Sequence, residues 1–291
     1  MEPCRPPDPN TRKPGWVPPS GACDTHCHVF GPSSRYGYTE GSAYIPPDAV
    51  LQDLQRLHGI LGLDRAVIVQ SSVQGTDNSN VLDSIASGQG RYRGVAIVDG
   101  GFSRVDLEEL HEGGIRGVRF SHKQPIGGPP DMSLIERTVD LMAPLGWHLV
   151  FHSSVPDVIA HAAVLEAMPV PVVIDHMAQA DMSAGVEDAS FQTLLALIRD
   201  GGLWVKISCA ERLSAAGPPY DDVVPIARAL IDNAPDRILW GSDWPHPNLK
   251  PAKKMPNDGD MIDLLALYAP DEEMRKRILV DNPAQLYDFG D

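Results

Sequence analysis

The stretch GACDTHCH, residues 21–28, ends in two histidines two positions apart. Side chains alternate along an extended segment, so Asp24, His26 and His28 are expected on one face, Thr25 and Cys27 on the other. Two imidazoles aimed at one point can hold a metal ion, move a proton or polarise a carbonyl. On a solvated strand they would do none of these, so the pair needs company. Polar residues close several otherwise apolar runs: Arg119 in IRGVRF, His152 in WHLVFH, Asp175 and His176 in VPVVIDH, Lys206 and Ser208 in LWVKISC, and Asp243 in RILWGSDW. A carboxylate among imidazoles is equipped for general-base work on water. An unpaired charge at the end of an apolar strand is costly, so Arg119 reads as an anion-binding group. Arg212 in SCAERL and Lys123 in SHKQP are further loop cations, and Ser71, Ser72 and Gln74 in VQSSVQGTDN offer neutral hydrogen bonds. Asp175 could equally be the partner that orients a ring. His246 in WPHP either packs on its loop or lines the site. His58, His111, His148 and His161 fall in helix or early-strand patterns and read as structural.

These residues can meet only if one architecture gathers the ends of their strands. Strand-like runs at 21–28, 66–70, 93–99, 115–120, 147–152, 170–176, 203–209 and 237–244 alternate with amphipathic segments. The segments span 47–62, 79–87, 103–114, 131–146, 156–168, 190–202, 220–235 and 260–269, with a last helix near EEMRKRILV. Ser103 stands where a helix N-cap is wanted. Apolar strands separated by helices imply parallel strands with crossovers, and eight such units predict a (β/α)8 TIM barrel. In that fold active groups gather at the C-terminal strand ends, where the residues above lie. No G-x-G-x-x-G follows a strand, which argues against a dinucleotide-binding fold. No G-x-S-x-G elbow is present, so a serine acyl-enzyme is not expected. The expected organisation is a Pro-rich N-terminal arm at 1–20 and one barrel at 21–291.

The net charge of −15 argues against nucleic acid and anionic membrane as partners. It leaves room for a small anionic substrate, because a few convergent cations dominate the field inside a pocket. Four cysteines without a C-x-x-C pair suit a reducing, cytoplasmic setting. The Pro-rich start has no apolar core of a signal peptide, and no run approaches a membrane span of about 18 residues. The oligomeric state has no signature in the sequence.

Taken in order, GACDTHCHVFGP, VQSSVQGTDN, RGVAIVD, GVRF, PLGWH, PVPVVIDHM, AGPPYDD, LWGSDWPHPN and DNPAQLYD resemble the amidohydrolase superfamily. More narrowly they resemble its 2-pyrone-4,6-dicarboxylate lactonase group, over nearly the whole chain. The resemblance implies a lactone hydrolase of microbial aromatic catabolism in which Asp243 is the general base. It places His26, His28 and His176 around the reacting carbonyl, and matches Arg119 and Arg212 to arginines that bind substrate carboxylates. Ser72, His152 and Lys123 are expected to complete the substrate site. Three positions depart from the group: an arginine after the fourth strand is absent with Lys123 nearby, a tyrosine is His152, and a further arginine is Gln179.

Two fewer guanidinium forks weaken planar binding of a dicarboxylate. The substrate is therefore expected to be related, with a sulfonate in place of one carboxylate, as in the similar 4-sulfomuconolactone hydrolases. A metal-dependent decarboxylase of an aromatic acid is the rival within the same framework, and a sugar lactonase is disfavoured by the arginines. The lactonase group implies no metal. His152 reopens the matter, because His26, His28, His152 and Asp243 would make a good set for one Zn2+. The cofactor is thus either one divalent ion or none.

Overall fold

A computed structural model describes residues 3–122 and 131–290; Lys123 lies outside the described residues. Eight strands pair in sequence order in one sheet, every pairing parallel. They are β1 (Cys23–Cys27), β2 (Arg65–Val69), β3 (Tyr92–Ala96), β4 (Ile115–Ser121), β5 (His148–His152), β6 (Val172–Ile174), β7 (Trp204–Ile207) and β8 (Ile238–Trp240). The expected (β/α)8 barrel is the observed one. Its strands are apolar on both faces because both faces are buried. Val67, Val69, Val95, Val150, Val173 and Leu239 point inward, where Tyr287 and Phe289 also pack. The alternate residues Ala66, Ile68, Leu149, Phe151, Ile174 and Val205 pack outward in the main core with helix residues such as Leu54, Leu107, Ile135, Leu194 and Leu230.

The helices of the described residues are α1 (Leu51–Leu61), α2 (Ser79–Ser87), α3 (Arg104–Glu112), α4 (Met132–Met142), α5 (Val155–Ala160), α6 (Ala162–Glu166), α7 (Ala189–Asp200), α8 (Ala210–Leu213), α9 (Val224–Asn233), α10 (Asp258–Tyr268), α11 (Glu272–Lys276) and α12 (Asn282–Tyr287). Ser103 caps α3 as expected, in a reciprocal box with Asp106. The helix expected over 156–168 is instead two short ones, because His161 leaves the helical region at φ −106° and ψ 7°. None is long and apolar enough to cross a membrane. Residues 3–20 contain no helix or strand beyond an isolated bridge of Pro3 to Ile45. Arg12 ties this segment to Asp260 and Asp263 of α10.

The junction of β1 with β8 shapes the site. Asp24 pairs with Ala66 but Cys27 pairs with Ile68, so β1 carries one residue more than β2 across this interval. Such a bulge resets which face each residue takes. The expectation that Asp24 shares a face with His26 and His28 is therefore corrected. Asp24 turns toward the helices, where His58 Nε2 lies 3.2 Å away and Ser242 donates from both its amide and its hydroxyl. His26 points inward. The chain after β8 then runs along β1: the Asp243 amide donates to His26 O at 2.7 Å, and the His28 amide to Trp244 O at 2.8 Å.

Gly241 permits this approach, because a Cβ there would lie 2.5 Å from His26 Cβ and 2.8 Å from its backbone nitrogen. Those neighbours are main chain or its first carbon and cannot swing aside. Gly241→Ala is expected to destabilise the fold by about 1–3 kcal/mol and to impair the site by pushing Asp243 from the histidines. Thermal melts and crystallography of the variant would check this; a wild-type melt would show that the junction tolerates the methyl group.

Candidate active site

Asp243 is the hub of a buried cluster. Its Oδ1 lies 3.5 Å from His26 Nε2, 3.4 Å from His28 Nε2 and 3.9 Å from His176 Nε2. Its Oδ2 accepts from Arg212 Nη2. Four strand ends thus converge as expected, with Arg212 delivered by the short α8 after β7. Asp243 and His176 both have left-handed backbones, φ 58° and 54°. Such conformations cost energy for residues with a Cβ and concentrate where function over-determines the geometry.

The electrostatics keep Asp243 charged. Burial pushes the Asp243 pKa up, but the Arg212 charge, the His28 hydrogen bond and the neighbouring imidazoles outweigh it, leaving the carboxyl well below the usual range. It is ionised at neutral pH. Burial also holds His176 well below the usual imidazole value, with His26 adding to the effect. His26 is lowered to about 4, by burial first, with Asp175 opposing and Lys206 adding. These two rings are therefore neutral near pH 7, able to donate from one nitrogen and accept at the other.

Each ring is oriented from behind. His28 Nδ1 lies 2.8 Å from Val69 O, which can only accept, so it carries a proton there. His176 Nδ1 meets Ser208 Oγ at 2.7 Å. His26 Nδ1 faces Lys206 Nζ at 3.2 Å and Asp175 Oδ1 at 3.3 Å. Asp175 also accepts from Arg119 Nε at 2.9 Å. Burial raises the Asp175 pKa, yet the charges of Lys206, His26 and Arg119 bring the net value well below the usual range. Asp175 thus links Arg119 and Lys206 to the ring of His26, and Arg119 reaches the cluster through it.

His152 stands beside this group rather than in its centre. Its ring centre is 5.3 Å from that of His176, and its nitrogens meet Ser121 Oγ at 3.3 Å and Gln179 Nε2 at 3.2 Å. Ser72 opens a helical turn, Ser72–Gln74, and is half-buried. Its neighbour Ser71 is the one linked inward, through the Tyr44 hydroxyl at 2.8 Å. Tyr44 was not legible in the sequence, lying in a loop without periodicity. It is buried within the fields of Arg212, Arg119 and Asp243, and burial pushes its phenol up. His246 is fully engaged: Nδ1 is 3.3 Å from Glu211 and Nε2 3.1 Å from Asp258. Burial opposes its charge, but Asp258 and Glu211 prevail and raise it to about 10. It pins the start of α10 and the turn carrying Arg212 to the loop of Asp243. Glu211 and Asp258 carried no sequence signal of this role.

An amidohydrolase family model matches residues 23–289. The chain belongs to the amidohydrolase family. Among relatives within it, a 4-sulfomuconolactone hydrolase from Hydrogenophaga intermedia is 40% identical over 273 residues, covering 94% of this chain and 90% of that protein. A 2-pyrone-4,6-dicarboxylate hydrolase from Comamonas testosteroni is 41% identical over 288 residues, covering 96% and 93%. The crystal structure of a probable 2-pyrone-4,6-dicarboxylic acid hydrolase from Acinetobacter baumannii, with citric acid bound, superposes with a TM-score of 0.80 at 26% identity, covering 92% of this chain and 99% of that one.

Members of so broad a family pose the question of a metal ion. Among the described residues His26, His28 and Asp243 offer ligand atoms within 4.8 Å of one another. The buried His26 Nε2 makes no hydrogen bond there. Two imidazoles and a carboxylate fit one zinc-like ion in type and reach. His152, the fourth ligand expected from the sequence, is not in that group.

Proposed function

We propose that the protein hydrolyses the ring ester of a small anionic lactone in the microbial breakdown of aromatic compounds, with 4-sulfomuconolactone as the favoured substrate. The observation that carries this reading is the ionised Asp243 carboxylate held among three imidazoles and against Arg212. The similarity to relatives named for lactone hydrolysis supports it.

In this reading Asp243 takes a proton from water as the water attacks the lactone carbonyl. Imidazole N–H groups from His26 and His176 face the developing oxyanion; one well-placed donor is typically worth about 3–4 kcal/mol. Arg212 and Arg119 each spend one nitrogen on a carboxylate, and a guanidinium has further N–H groups to offer an anionic substituent. Fixing that substituent aims the carbonyl at the water. A divalent ion, if held by His26, His28 and Asp243, would supply Lewis-acid polarisation and a more acidic water.

The preference for a sulfonate rests on Gln179, a neutral amide 3.2 Å from His152 where the resemblance to the lactonase group implies an arginine. The second reading, 2-pyrone-4,6-dicarboxylate, is favoured by equally strong similarity. Steady-state turnover of the purified protein on muconolactone, 4-sulfomuconolactone and the pyrone dicarboxylate decides between them. Highest kcat/KM is expected for the sulfonated lactone. Release of CO2 from an aromatic acid, with no lactone opened, would replace hydrolysis by decarboxylation. Elemental analysis of the same active protein decides the metal: full activity with well below one equivalent sets the ion aside.

A further inference from the structure

Lys206 is a buried lysine that the hydrolytic steps above do not use. It sits in the third position of β7 with no solvent exposure, and its Nζ lies 3.2 Å from His26 Nδ1 and 3.3 Å from Asp175 Oδ1. Burying an ammonium costs several kcal/mol unless its protons are matched. Barrel interiors are ordinarily filled by branched apolar side chains, so a lysine in this layer calls for an explanation.

The explanation lies in what Nζ requires. A lysine ammonium has three donors and no acceptor. If His26 carried its proton on Nδ1, two N–H donors would confront each other at 3.2 Å. If the proton sits on Nε2, Nδ1 presents a lone pair and the contact becomes a hydrogen bond. Asp175 Oδ1, at 3.3 Å, is slightly farther from Nδ1 than Nζ is and would favour the opposite arrangement. Asp175 is already answered by Arg119 on Oδ2 and by the Lys206 charge on Oδ1. The balance falls to the lysine.

We propose that Lys206 is a positioning residue that holds His26 in its Nε2–H tautomer, so that His26 donates a hydrogen bond to the lactone carbonyl oxygen. His26 Nε2 is buried, faces the Asp243 side of the cluster at 3.5 Å and has no hydrogen-bond partner among the described residues, as a donor reserved for substrate requires. The number of protons on the ring does not change; Lys206 decides which nitrogen carries the one that is there. His28 is set from behind by a different group, its Nδ1 donating to the Val69 carbonyl. The two histidines of the pair are therefore not equivalent. The inference rests on the hydrolytic reading for its consequence but not for the tautomer itself.

Nitrogen-15 NMR of histidine-labelled protein, with His26→Gln to assign the signals, reads which ring nitrogen is protonated. The wild type is expected to show His26 protonated at Nε2. Lys206→Met removes the donor while filling the space, and is expected to move the proton to Nδ1, facing Asp175. The matching kinetic result is a fall in kcat of about 100-fold with KM within a few-fold. Lys206→Gln keeps an N–H donor and is expected to retain both the Nε2–H signal and most of kcat. It also serves as the readable variant should the methionine protein fail to fold. Protonation at Nδ1 in the wild type would overturn the proposal. So would an unchanged tautomer in Lys206→Met, loss of kcat in Lys206→Gln with the tautomer intact, or a bound divalent ion on an unprotonated Nε2. If no lactone is turned over by the wild type, the hydrolytic reading fails while the spectra still decide the tautomer.

Discussion

Asp243→Asn is expected to lower lactone turnover by about 10³-fold or more while the barrel stays folded. General-base catalysis typically contributes about 10²–10⁴-fold, and Asp243 is the carboxylate that all three imidazoles approach. The asparagine keeps the volume and can still accept from Arg212 through its amide oxygen. It cannot take a proton from water. The charge left on Arg212 is tolerable, because that side chain is 25% exposed and water can answer it. Circular dichroism and a thermal melt should therefore resemble wild type while kcat collapses. Near-normal kcat in this variant would remove the base assignment. The wild-type profile carries a second mark of the same group: with its carboxyl held well below the usual range, the acid limb of kcat/KM should fall below the ordinary carboxylate pKa.

Asp175→Asn is expected to act in the opposite way, on stability first. Asp175 is fully buried between Lys206 and Arg119, which are 0% and 7% exposed. Removing one partner from a buried ion pair typically costs about 3–5 kcal/mol, because the remaining charge is left unanswered. For a chain of this size that is a drop in Tm of roughly 10 °C. Combining it with Lys206→Met removes one of the stranded cations, so the double variant should melt above the sum of the two single losses. Strict additivity would show that the three groups do not act as a unit. The linkage has a definite sign. Asp175 and Asp243 have folded pKa values below their unfolded ones, so their stabilisation is present above about pH 4 and is lost as pH falls toward the folded values. Acid unfolding of the wild type should steepen in that window, and Asp175→Asn should flatten it.

The alternation of strand and helix was legible because it is a property of local periodicity. Val67 and Val69 against Ala66 and Ile68 is a pattern any strand buried on both faces would show. The same period of two, read at strand ends, is enough to single out His26, His28, Arg119, His176 and Asp243. The fragmentation of the helix at His161 was not legible, since helical pattern continues on both sides of it. Nor was the part played by Tyr44, because a loop has no period that would aim a side chain.

By itself the sequence determined the barrel, the end of it at which polar residues gather, and the residue types available there. Those follow from hydrophobic pattern and strand direction, which are local. The tertiary structure decided who faces whom. The one-residue bulge in β1 sends Asp24 outward to hold Ser242 and leaves His26 pointing in. Arg212 meets Asp243 from 31 residues away, and Lys206 reaches His26 across 180. Contacts at such separations depend on register and on the course of loops, and no window of sequence contains both partners. Two histidines that look alike in the chain become different reagents only once Val69 stands behind one and Lys206 behind the other.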